Sequence, residues 1–179
     1  MTAPSVRPLR ISVCAPGVAT DDELAAAEAV GKLIAEAGGT LVCGGLGGAM
    51  AAACRGAKGA GGVTIGIVPG YDDKAANPWV DHVVCTGLGQ ARNVLVAATG
   101  QALIAVGGGA GTLSEIGLGV RLGRPVVLLG GWAAALGSEA AASAWAQGGK
   151  LPIVAATPEE AVQRAIAAAR GTKGEEGRG

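Results

Sequence analysis

The stretch ALIAVGGGAGTLSE, Ala102 to Glu115, decides the fold. Ala102–Val106 is a continuous apolar run and reads as a buried strand. Three glycines follow, and from Gly111 to Leu122 the pattern becomes helical. A strand that passes through glycines into a helix brings free amides and the positive end of the helix dipole to one point. Without Cβ atoms, Gly107, Gly108, Gly109 and Gly111 leave the backbone open to close approach. Thr112 adds a hydroxyl. The combination suits a phosphate group.

Similar units lie on either side. Leu9–Cys14, Thr40–Cys43, Val63–Val68, His82–Thr86, Pro125–Leu129 and Pro152–Ala155 read as strands. Helices are expected from Asp21 to Ala37, Ala49 to Ala60, Leu88 to Thr99 and Ala133 to Gln147, and again after Thr157. Thr20-Asp21-Asp22-Glu23 has the form of a capping box. Thr157-Pro158-Glu159-Glu160 places a cap, a first-turn proline and acids at a helix start. Tyr71–Trp79 reads as a polar loop. The strands are solid apolar runs, which a parallel sheet needs when helices cover both faces. The expectation is a three-layer Rossmann-like α/β fold, with a mostly parallel sheet of about seven strands. One domain spans residues 1–170, and Gly171–Gly179 is expected to be a disordered tail.

The 179 residues include 33 glycines and no phenylalanine, so Ala, Val, Leu and Ile must build the core. Fourteen basic side chains match fourteen acidic ones. No global positive field exists to hold nucleic acid or an anionic membrane. Met1–Arg10 lacks the apolar core of a leader, and glycines break the long uncharged stretch before Glu115. A cytoplasmic protein with neither membrane nor nucleic-acid partners is expected. The single histidine, His82, and four cysteines without a C-x-x-C pair give no metal site. Cys14, Cys43 and Cys85 each fall near a strand end. Trp79, Trp132 and Trp145 fit core or subunit interface equally well.

Ligands in parallel sheets bind at the carboxyl edge, near the point where strand order reverses. A second glycine loop, Gly44-Gly45-Leu46-Gly47-Gly48, falls on that edge. Gly44, Gly45 and Gly47 are candidate backbone contacts. Arg92 and Glu115 are the charges nearest the loops. Glu115 lies about a turn into the helix after the triple glycine, and Arg92 about a turn into the preceding helix. If strands four and five are neighbours, both side chains lean over one crevice. No Gly-Lys-Ser/Thr follows the glycines, and the triple glycine is not in the first strand-to-helix turn. A Walker A loop and a dinucleotide fingerprint are both disfavoured. The absence of a G-x-S-x-G elbow argues against a serine hydrolase.

Gly107–Glu115 resembles the P-G-G-x-G-T-x-x-E motif of the LONELY GUY, or lysine-decarboxylase-like, family. Gly44–Ala53 is similar to that family's earlier glycine loop, and Arg92 falls where the family carries its arginine. The resemblance spans roughly Arg10 to Ala169. It implies a homodimer or larger homo-oligomer, no required cofactor, and a nucleotide ligand. Characterised members release a free base from nucleoside 5′-monophosphates. By that resemblance, Arg92 and Glu115 are catalytic residues of a phosphoribohydrolase, and the glycines with Thr112 hold the phosphate. Gly107 stands where the motif has proline, and Asn93 follows Arg92 where the enzymes usually have lysine. That form is more similar to a sister branch that includes molybdenum-cofactor carrier proteins. The alternative expectation is therefore a non-catalytic carrier of a phosphorylated ligand. The related fold of DNA-processing protein A would imply single-strand binding, against which zero charge and few aromatics argue.

Overall fold

The structure is a computed structural model that describes residues 8–138, 141, 145 and 150–171. Seven parallel strands form one sheet in the order β4-β3-β2-β1-β5-β6-β7. They are β1 (Arg10–Cys14), β2 (Thr40–Cys43), β3 (Val63–Val68), β4 (His82–Cys85), β5 (Ala102–Val106), β6 (Val126–Leu129) and β7 (Ile153–Ala155). The helices are α1 (Asp21–Glu36), α2 (Ala49–Gly59), α3 (Asn93–Thr99), α4 (Ala110–Arg121), α5 (Ala133–Leu136) and α6 (Pro158–Gly171). The expected fold class is the observed one, and the sheet is parallel throughout.

The strands alternate between two cores. Ile11 and Val13 of β1 point into the layer packed with α1, α2 and α6, while Cys14 joins the layer beneath α3 and α4. Ser12 is fully buried, and its hydroxyl donates to the Val96 carbonyl at 2.6 Å, which meets the cost of burying it. With no phenylalanine to fill space, helices α1 and α2 approach until backbone meets backbone. A Cβ on Gly31 would overlap the Ala53 carbonyl, and one on Gly56 would overlap the Glu28 carbonyl.

Two helix starts carry the expected caps. Thr20 Oγ1 accepts from the Glu23 amide at 3.3 Å, while Glu23 Oε2 accepts from the Thr20 amide at 2.9 Å. At α6, Thr157 Oγ1 accepts from the Glu160 amide and Glu160 reaches back to the Ala156 amide. No helix among the described residues is long and apolar enough to cross a membrane.

Four expectations need correction. Strands four and five are not neighbours, because β4 is an edge strand and β3, β2 and β1 separate it from β5. The helix expected from Leu88 to Thr99 is a 3-10 turn at Gly89–Arg92 followed by α3. Gly89 opens that turn at a φ of +54°, outside the helical region. Helix α4 begins at Ala110, with Gly109 extended as its N-cap. Gly171 ends α6 instead of starting a tail, and residues 172–179 lie outside the described residues. So does most of the helix expected up to Gln147.

Strand order reverses between β1 and β5. From β1 the chain builds outward through β2, β3 and β4, then crosses back to β5 and continues to β6 and β7. The loops after β1 and β5 therefore diverge and leave a crevice at the carboxyl edge. The return crossing from β4 runs along that edge: the amides of Thr86, Gly87 and Gly89 donate to the carbonyls of Val68, Gly70 and Pro69. It delivers the 3-10 turn to the mouth of the crevice.

Candidate functional site

A cavity of about 370 Å3 occupies the crevice. Its walls are Ala15–Val18 after β1, Leu46 and Met50 after β2, the turn residues Gln90 and Arg92 with Asn93, and Gly109, Gly111, Thr112 and Glu115 of the β5–α4 segment. The first bond inside α4 runs from the Leu113 amide to the Gly109 carbonyl at 2.9 Å. The amides before Leu113 have no carbonyl of their own helix to meet, and they open at the cavity end.

Arg92 and Glu115 meet here although their strands do not. Arg92 Nη1 lies 3.6 Å from Glu115 Oε1, and both side chains are more than nine-tenths buried. Long-range crossing, rather than strand adjacency, brings them together. The Arg92 guanidinium lies directly on the backbone of Gly44, where a Cβ would overlap it. Gly44 thus acts through Arg92. The neighbouring Gly45 turns away, donating its amide to Cys43 Sγ at 3.3 Å and packing on Gly66. Gly47 has nothing within reach of a Cβ and faces open space. Asn77, from the loop before β4, holds this segment by donating to the carbonyls of Gly45 and Leu46 at 3.1 and 3.0 Å.

The arrangement leaves polar atoms unmet. Among the described residues, five buried side-chain nitrogens and oxygens lack a hydrogen-bond partner, and four are here: Arg92 Nε and Nη1, Asn93 Oδ1 and Thr112 Oγ1. At 3.6 Å the Glu115 carboxylate attracts Arg92 without taking a hydrogen bond from it. An unmet buried polar group costs about 1–3 kcal/mol, so such a cluster calls for a ligand or ordered water. Burial pushes the Glu115 carboxyl up to about 7, against the pull of the Arg92 guanidinium and the Cys14 thiol. Burial, reinforced by the Glu115 charge, raises Cys14 well above the usual thiol range, so it stays protonated.

A wider groove of about 1020 Å3 lies outside α1 and α2, lined by Glu28, Lys32, Arg55, Lys58, Trp79 and Asp81 among others. Its charges are already paired, Glu28 with Arg55, Lys58 with Asp81 and Lys32 with Glu36. No unmet buried atom belongs to it. The smaller cavity is therefore the candidate site.

The triple glycine divides its work. Gly109 faces the cavity together with Gly111 and Thr112. Gly107 and Gly108 face the other way. Gly107 has a φ of +65°, donates its amide to the Leu129 carbonyl at 3.0 Å, and lies against the Glu23 carboxylate. A proline here would lose that amide and could not reach that φ. The Gly108 amide donates to Glu23 Oε1 at 3.2 Å, and Trp132 packs beneath Gly108 while its Nε1 donates to the Gly109 carbonyl at 3.3 Å. Glu23 therefore caps α1 and pins the loop that aims α4. Glu23→Ala is expected to lower stability by about 1 kcal/mol, the usual worth of a cap, with Glu23→Gln retaining most of it. Urea unfolding of the two variants checks this.

Several contributors carried no sequence signal. Glu23 was legible only as a cap, Cys14 only as a strand end, and Asn77 only as loop. Each acts through a contact distant in sequence. The remaining cysteines stand apart from the cavity: Cys43 and Cys54 are buried with their sulfurs 3.4 Å apart, and Cys85 is exposed on β4.

Fold and site together define a Rossmann-like α/β protein with a pocket at its topological switch point that gathers a buried Arg92–Glu115 pair and Thr112. The chain belongs to the SLOG cluster4 family, whose model matches residues 8–162. An uncharacterized protein of Archaeoglobus fulgidus is 41% identical over 121 residues, covering 68% of this chain and 80% of that one. The molybdenum cofactor binding protein of the phototrophic bacterium Rippkaea orientalis superposes with a TM-score of 0.83 at 36% identity, covering 91% of this chain and 98% of that one. The molybdenum cofactor carrier protein of Chlamydomonas reinhardtii does so with a TM-score of 0.80, also at 36% identity, over 90% of this chain and 98% of that one.

Proposed function

We propose that the protein binds and carries a small phosphate-bearing ligand of the molybdenum cofactor kind, without turning it over. One observation carries the reading: Thr112 Oγ1, Arg92 Nε and Nη1, all buried and unmet, belong to residues that line one cavity together with the start of α4. A phosphate group supplies acceptors for all of them. The solved relatives named as cofactor binding and carrier proteins support the choice of ligand.

The phosphoribohydrolase reading uses the same cradle and needs Glu115 as an anion, to stabilise positive charge on a ribose as its bond to the base breaks. Burial holds the Glu115 carboxyl at about 7 and Arg92 already faces it, which weakens it for that task. The solved relatives bind or carry a cofactor by name, and neither is named as a hydrolase.

The experiment is a thermal-shift series with inorganic phosphate, nucleoside monophosphates and molybdopterin, run beside chromatography for free base. A ligand at a hundred times its Kd stabilises by about 2.7 kcal/mol, which is readily seen. Saturable stabilisation without base release is expected. Base release that Glu115→Gln abolishes would establish the hydrolase instead. Stabilisation by none of these compounds would remove both readings.

A further inference from the structure

The cavity holds one cation and one carboxyl group in contact, and both are almost wholly buried. We infer that anion binding in this cavity is coupled to protonation of Glu115, so that the ligand enters with a proton and deprotonation expels it. The inference rests on the anion-site reading above and adds how that site is regulated.

The argument is one of charge count in a dry space. Without ligand, the Glu115 charge is offset by Arg92 at 3.6 Å. The free hydrogen-bonding capacity of Arg92, its Nε and Nη1, lies in a residue that lines the same cavity as Thr112 and the start of α4. A phosphate dianion that takes those donors sits beside the Glu115 carboxyl. One guanidinium then faces a dianion and a carboxylate together. Like charges sharing a buried site do not both stay ionised, and the weaker acid of the pair takes a proton. A phosphate monoester dianion and Glu115 compete for that proton, but a sulfate dianion cannot take it.

The titratable groups that face Glu115 come from three elements. Arg92 reaches it from the 3-10 turn and Cys14 from β1, while Cys43 at the end of β2 feels its charge without lining the cavity. Burial raises Cys14, and the contact with Cys54 followed by burial raises Cys43, both well above the usual thiol range, so neither supplies a proton near neutrality. A guanidinium is not deprotonated in proteins. Glu115 alone is left to change charge, and burial already places it at about 7. The proton comes from bulk water and no covalent bond changes.

Sulfate is the probe, because it remains a dianion across the range and contributes no titration of its own. If sulfate binds only the protonated form, its Kd rises about 30-fold between about pH 6 and about pH 8.5, following the shrinking competent fraction. Calorimetry of wild type near pH 8, in buffers of contrasting ionisation enthalpy, is expected to show about 0.9 proton taken up per sulfate bound. Glu115→Gln, a neutral mimic of the protonated acid, is expected to bind sulfate with the low-pH affinity of wild type at every pH. A flat wild-type Kd with no proton uptake overturns the coupling and leaves the anion site standing. Retention of the wild-type slope by Glu115→Gln also overturns it. Failure of wild type to bind sulfate at any pH removes the anion site and the coupling together. The proton count needs wild type alone, so it decides the matter even if the variant does not fold.

Discussion

Arg92→Ala is expected to abolish anion binding and to destabilise the fold by about 3 kcal/mol at alkaline pH. The two effects have separate causes. Binding fails because Arg92 is the only cation lining the cavity among the described residues, and its Nε and Nη1 are unmet. A hydrogen bond to a charged group contributes about 1.5–3 kcal/mol, so the loss of two weakens binding by at least about a hundredfold. Stability falls because Glu115 is left buried without its partner. Removing one member of a buried pair commonly costs about 3–5 kcal/mol. The lower end applies here, because Glu115 sits at about 7 and escapes by taking a proton. Losing Arg92 raises the Glu115 carboxyl further, so the same escape predicts that the stability loss grows as pH rises above about 7 and levels off below it. Urea unfolding at mildly acidic and mildly basic pH, with sulfate titrations beside it, checks all three points. Wild-type affinity in Arg92→Ala would remove the anion site.

Gly31→Ala is expected to cost about 3 kcal/mol, at the upper end of the usual range for overpacking. Alanine is ordinarily the better helix residue by about 1 kcal/mol, so the substitution looks favourable in sequence alone. In the fold its Cβ would overlap the Ala53 carbonyl of α2. Backbone cannot move aside as a side chain can, so the two helices must separate. Gly56 makes the reciprocal contact with the Glu28 carbonyl. The pair Gly31→Ala and Gly56→Ala is therefore expected to be less costly than the sum of its members, since one separation relieves both clashes. Chemical denaturation of the two variants and their combination measures this. Full additivity would show that the helices yield locally instead.

Carrier and hydrolase readings share the cradle and part at Glu115. A hydrolase needs the carboxylate charged when substrate is bound, while proton-coupled carriage needs it neutral. The pH dependence of sulfate binding therefore bears on mechanism as well as affinity. It also implies a simple way of unloading, in which a more alkaline or more anionic surrounding favours release.

Sequence alone was enough for the class of fold. Solid apolar runs such as Ala102–Val106 can be strands only where both faces are covered, and all but Val63–Val68 are followed by a short loop and a helix-forming segment. Those are local properties, and the parallel sheet follows from them. The triple glycine, Thr112 and Glu115 were legible for the same reason, since one strand-to-helix turn holds them all. Tertiary structure alone decided how the parts face. Gly107 and Gly108 carry the pattern of a phosphate loop, but the Gly108 amide is taken by Glu23, 85 positions away. Gly109, Gly111 and Thr112 are the members of the loop that line the cavity. Arg92 and Glu115 meet not because their strands adjoin but because the chain returns from the sheet edge across Gly44. Local sequence sets backbone conformation one turn at a time. The direction of an amide in a positive-φ turn, and the landing point of a long crossover, depend on packing between elements remote in the chain.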